Sequence, residues 1–121
     1  MTQYKKRLTQ EQCQCLERAG FDIPFDFTTV CDGRPLYDPL NSDDLVDLLP
    51  EKVLFEERWW YLNVERGISN NGTDEDEDPV IMWAASYWTA SWDDYRWRCL
   101  GHSMVDVLYS LVLELRRQQL M

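Results

Sequence analysis

The strongest periodic stretch lies near the end of the chain. Met104, Leu108, Leu111 and Leu115 recur at helical spacing, flanked by Val105, Val107 and Val112. Ser103 is an N-cap and Asp106 completes a capping box, so a long helix is expected from there to about Gln119. Arg116 and Arg117 in its last turns suit the helix dipole. A first helix is expected from Gln10 to Ala19, capped by Thr9 with Gln12 and ended by Gly20. Its apolar stripe is thin: Cys13, Leu16 and Ala19. A short second helix, Asp43 to about Leu49, follows Ser42 as cap and stops at Pro50.

Alternation replaces helical spacing between these helices. Residues 53–66 predict a hairpin: strand Val53–Phe55, a turn at Glu56–Arg58, and strand Trp59–Arg66. Trp60, Leu62 and Val64 then point one way, and Trp59, Tyr61, Asn63 and Glu65 the other. A second pair follows, Val80–Trp88 and Tyr95–Leu100, joined by a turn around Thr89–Asp94. In the first of these, Ile81, Trp83, Ala85 and Tyr87 oppose Val80, Met82, Ala84 and Trp88. In the last strand Tyr95, Trp97 and Cys99 oppose Arg96, Arg98 and Leu100.

Two segments lack such patterns. Residues 21–41 hold three prolines and several aspartates, and read as an irregular stretch pinned to the core by Phe21, Ile23, Phe25 and Phe27. Residues 67–78, with Asn71-Gly72 and an unbroken acidic run, read as a flexible, solvated loop. The expected fold class is α+β: a four-stranded antiparallel meander with three helices packed on it. At 121 residues, one domain over 1–121 is expected, made of an N-terminal helix (1–20), the irregular segment (21–41) and a helix-ββββ-helix unit (42–121).

Net charge changes the picture. It is −10 overall, but residues 21–94 carry eighteen acids against four bases, while both flanking segments are basic by two. Phosphate backbones are repelled by such a surface, which disfavours nucleic acid, and basic proteins are attracted to it. No apolar run reaches membrane-spanning length, and MTQYKKRLTQEQ lacks the apolar core of a secretory signal. A cytoplasmic location with reduced thiols is the expectation.

Candidate chemistry is sparse. Cys13 and Cys15 lie about 200° apart on a helix and cannot share an ion, and Cys31 and Cys99 offer no paired spacing, so no metal site is expected. The run Asp74, Glu75, Asp76, Glu77, Asp78 opens like a calcium loop, but Pro79 and Ala85 fall where Gly and Glu are required. His102, the single histidine, adjoins Ser103 and reads as a helix-start residue rather than a base. No glycine-rich phosphate loop and no nucleophile elbow occur, so neither a cofactor nor an enzymatic activity is expected.

The block from residue 42 onward joins a helix ending Leu48-Leu49-Pro50, a Trp59-Trp60-Tyr61-Leu62 strand, a Trp83-Ala84-Ala85-Ser86-Tyr87 strand and the capped helix from Ser103. This pattern resembles small uncharacterised proteins of Bacteroidales phages and mobile elements, over roughly the last two-thirds of the chain. The resemblance implies a mobile-element accessory protein and brings no catalytic residues. At the level of topology, the order also resembles small domains of some toxin–antitoxin inhibitors.

Aromatic residues fall on both predicted sheet faces, and one long helix covers only part of one. Either the Phe-bearing N-terminal segment wraps the second face, or that face is open and forms an interface. The candidate interaction surface is therefore Trp59, Tyr61, Trp83, Tyr87, Arg96 and Arg98 together with Asp74, Glu75, Asp76, Glu77 and Asp78. The functional expectation is a non-enzymatic acidic protein that binds a basic protein partner, in its sharpest form a nucleic-acid mimic. The alternatives are a homodimer using the second face, and an enzyme with an unrecognised site.

Overall fold

The computed structural model describes residues 5–31, 33–69 and 80–121. Its first helix, α1, spans Gln10–Arg18 with the expected Thr9–Gln12 capping box, and Gly20 takes the positive φ (101°) that ends it. Arg116 donates from Nε to the Ala19 carbonyl (3.0 Å) and stacks on Phe21, tying this end of α1 to the C-terminal helix.

Residues 21–41 are more ordered than their prolines suggest. Strand β1 (Phe25–Cys31) pairs antiparallel with β2 (Arg34–Tyr37) as a separate two-stranded sheet. In the sequence the Asp-Gly dipeptide at 32–33 is a hairpin signal that outweighs Pro35 on an edge strand, and Gly33 has φ 76°. Gln10 closes α1 onto β2 by accepting from Tyr37 N (2.8 Å) and donating to Tyr37 O (2.9 Å). The Phe anchoring is also corrected. Ile23 is buried, whereas Phe25 and Phe27 are exposed, with Phe25 stacked on Tyr37 at 4.9 Å.

Helix α2 spans Ser42–Leu48, one residue earlier than the pattern indicated. Asn41, not Ser42, is the cap, because Asn41 and Asp44 form the reciprocal pair of a capping box.

Four strands follow: β3 (Lys52–Phe55), β4 (Arg58–Ser69), β5 (Val80–Trp88) and β6 (Tyr95–Gly101), an antiparallel sheet in sequential order. Residues 67–69, expected in a loop, continue β4 and pair with Met82, Ile81 and Val80. The acidic run Asp74–Asp78 lies outside the described residues. Glu56 and Glu57 make the β3–β4 turn with φ of 52° and 65°. Two positive-φ residues match the twist of a hairpin but strain side chains with a Cβ. Glu57→Gly is therefore expected to stabilise the protein by about 0.5–1 kcal/mol in urea unfolding; a loss of stability would contradict this turn geometry.

The last helix, α3, spans Met104–Arg117 and buries Val105, Val107, Leu108, Leu111, Val112 and Leu115 against β5, β6 and α2. It ends two residues before the expected limit, because Gln119 turns to φ 60° and Leu120 N donates back to Leu115 O. The core joins these residues to Cys13, Leu16, Leu45, Val53, Trp60 and Tyr87.

Asp106 is where three elements meet. One carboxylate oxygen accepts from Lys5 Nζ (2.7 Å) and Gln12 Nε2 (2.9 Å), and the other from the Ser103 hydroxyl (2.8 Å). Ser103 caps α3 as expected, but the Asp106 carboxylate turns to its hydroxyl rather than its backbone N–H. Partial burial opposes ionisation of Asp106, yet the hydrogen bonds from Gln12, Lys5 and Ser103 outweigh it and hold its pKa below the usual carboxylate range. A lowered folded pKa gives stability that is complete above the unfolded value and lost as pH falls through the folded one. Asp106→Asn should cost about 1 kcal/mol at neutral pH, the partly exposed pair being discounted for screening. That difference should shrink between about pH 4 and pH 2 in thermal unfolding scans; a difference unchanged down to the lower limit would overturn the assignment.

Candidate interaction surface

The sheet has a helix side and an outer side, and the strand register decides which residues see which. Trp60 pairs with Val53, Leu62 with Tyr87, Val64 with Ala85 and Arg66 with Trp83, all on the helix side. Lys52, Tyr61, Trp88 and Tyr95 form one row across the outer side, and Leu54 pairs with Trp59 in the next. Among the described elements, the main helix packing on this sheet is that of α3 on β5 and β6, and the outer side is the one away from it.

The outer side is aromatic at the end where both tight turns lie. Trp88 sits 4.9 Å from Tyr95 and 5.5 Å from Trp92, centroid to centroid. Leu54, Trp59, Tyr61, Trp92, Tyr95 and Leu100 are all exposed, which leaves only Phe25 and Phe27 as large exposed hydrophobics elsewhere among the described residues. Two cations lie over these rings: Lys52 Nζ is 4.6 Å from the Trp59 centroid, and the Arg98 guanidinium 5.2 Å from that of Tyr95. The turns beside them carry Glu56, Glu57, Asp93 and Asp94, all exposed. Asp93 accepts from Thr89, Ser91 and Arg58, and these hydrogen bonds keep it ionised below the usual range.

The candidate residues do not all meet here. Trp59, Tyr61 and Arg98 share the outer side. Tyr87 is fully buried, donates its hydroxyl to Pro50 O (2.6 Å), and has its pKa pushed up by that burial. Trp83 is half-buried on the helix side, at the far end of the sheet. Arg96 and Arg98, expected on one face, are split. Trp97 has φ 55°, and the β5–β6 register shifts between Ala85 and Tyr87, so β6 carries a bulge there.

The bulge lets two consecutive residues face the helix side. Arg96 lies over Phe55 (4.9 Å) and Trp60 (5.2 Å) and pairs with Glu56 at 2.9 Å. Its buried Nε has no hydrogen-bond acceptor among the described residues. Trp97 meets Phe55, Trp60 and Tyr87 edge-on. Tyr95 is consequently an outer residue with Arg98 and Leu100, not a neighbour of Trp97 and Cys99. The outer residues that the pattern left out, Trp92 and Tyr95, follow from the bulge and from the turn.

Among the described residues, no group of three or more His, Cys, Asp or Glu side chains is placed to hold a metal ion. Cys13 is buried and Cys15 exposed, on different sides of α1 as their spacing required. No helix among the described residues is long and apolar enough to cross a membrane. No family model, curated protein or solved structure matches the chain.

Proposed function

We propose that this protein acts by binding rather than by catalysis, and that its outer sheet face engages a basic protein partner. The observation that carries this reading is the row Tyr61–Trp88–Tyr95, exposed at Tyr61 and Tyr95 and half-buried at Trp88, with exposed Trp59 and Trp92 beside it and two acidic turns at its border. Aromatic side chains left in water cost solubility and are characteristic of interface centres, where they bury large area with little lost rotamer freedom. The carboxylates of Glu57, Asp93 and Asp94 and the net charge of −10 draw in a positively charged surface from a distance. The same charge makes a second copy of this chain a poor occupant. In keeping with the mobile-element resemblance, the partner would be a basic host factor or nuclease, and mimicry of nucleic-acid charge would be the sharp form of the activity.

Capture from a host lysate on immobilised protein, with mass spectrometry at about 0.05 M and about 0.5 M salt, tests this. Retained proteins should be basic and should be lost at high salt. Retention that ignores salt, or retention of acidic proteins, would overturn the reading. Sedimentation velocity showing a dimer with the outer face buried would replace it with self-association.

A further inference from the structure

Four cations of this acidic chain converge on one cleft of about 400 Å³, at the far end of the sheet from the aromatic row and on its helix side. Lys5, Lys6, Arg7 and Arg66 form its walls together with one carboxylate, Asp43, and Ile81, Trp83, Met104 and Val105 form its apolar surfaces. The convergence is long-range. An isolated bridge between Arg7 and Asn41, with Leu8 N donating to Leu40 O (2.9 Å), carries the N-terminal segment to the start of α2, and Arg66 of β4 lines the same cleft. Among the described residues only Lys5 of the four has a carboxylate partner, Asp106. Arg7 donates to the Pro39 carbonyl, Arg66 lies over Trp83 at 5.9 Å, and Lys6 is exposed. The chain holds twenty-two acids against twelve bases. Asp106 offsets Lys5, and Asp43 is a single carboxylate against Lys6, Arg7 and Arg66, so the cleft keeps an excess of positive charge whose mutual repulsion an anion between them relieves.

From this geometry we infer that the cleft binds a small organic anion: a phosphate or carboxylate head held by Lys6, Arg7 and Arg66, on a planar apolar body lying against Trp83 and Met104. The volume is that of a small-molecule site. Gly101 pairs with Trp83 and adds no side chain there; a Cβ on it would come within 3.0 Å of Val107. The first turn of α3 supplies Met104 and Val105, and with them the positive end of its dipole. This site is independent of the outer face and stands or falls separately from the partner reading.

Naphthyl phosphate is the simplest probe of this class, with inorganic phosphate and naphthol as its separate halves and naphthoate as the carboxylate form. Titrated at low salt and followed by heteronuclear NMR, naphthyl phosphate should shift the Trp83 indole and the Ser42 and Val105 amides saturably. Its half-saturation should be at least about tenfold below that of inorganic phosphate or naphthol. Comparison with naphthoate distinguishes the two head groups. Lys6→Glu with Arg66→Glu, both at exposed positions, should weaken binding at least about tenfold without lowering the thermal midpoint, and Lys6→Gln with Arg66→Gln should weaken it less. No saturable shift at these residues with either anion would overturn the inference. So would shifts that inorganic phosphate alone reproduces, or shifts confined to Trp59 and Tyr95.

Discussion

Trp60→Ala is expected to lower the unfolding free energy by about 3–5 kcal/mol, and Trp59→Ala, one residue earlier, by less than about 1 kcal/mol. The contrast follows from strand alternation. Trp60 is 1% exposed, donates from its indole to Phe55 O (3.1 Å), meets Trp97 edge-on and lies beneath the guanidinium groups of Arg58 and Arg96. Its removal leaves a cavity lined by groups that cannot collapse into it. Trp59 is 46% exposed and touches mainly Lys52 and its own face. Urea unfolding of the two variants measures both numbers. Equal losses would mean that both faces of the sheet are buried, and the outer face could not then serve as a docking surface.

The second large effect is on binding. Trp59→Ser combined with Tyr95→Ser should weaken the complex with the basic partner at least about 100-fold, because two central aromatic anchors are each worth about 2 kcal/mol or more. The same pair should change folding stability by only about 1 kcal/mol. Calorimetric titration of the captured partner, set beside urea unfolding, separates the two outcomes. Affinity retained by a folded double variant would place the contact elsewhere, among exposed acids such as Glu11 and Glu17 of α1.

Much of the fold was legible because its signals are local. The caps at Thr9 and Ser103, the apolar spacing of α3 and the alternation through Trp59–Val64 each fix an element without tertiary help. The β1–β2 hairpin was hidden by its prolines, although Asp32-Gly33 named the turn. The cap of α2 was legible too, since Asn41 and Asp44 have capping-box spacing.

The candidate surface was only half legible, and the reason is one residue. Nothing in the sequence marks Trp97 as a left-handed position, because bulky residues rarely adopt it, and strict alternation is the natural reading of β6. The bulge moves Arg96 to the helix side and leaves Arg98 and Tyr95 outside, so the surface changes membership without any strand changing place. Tyr87 could not be separated from Trp59 by composition; only the placement of α3 decides that its side is the buried one. The basic cleft was out of reach for a different reason: Lys5–Arg7 and Arg66 lie far apart in sequence and meet only as walls of one cleft in the folded chain.

Fluorine NMR of fluorotryptophan-labelled protein, with a soluble gadolinium chelate as a paramagnetic probe, tests the openness of the outer face most directly. Trp92 and Trp59, at 61% and 46% exposure, should broaden first, and Trp60, at 1%, last. Binding of the basic partner should then protect Trp59 and Trp92. A monomeric sample in which Trp59 is as protected as Trp60 would show that the outer face is already covered, and would contradict its use as a docking surface.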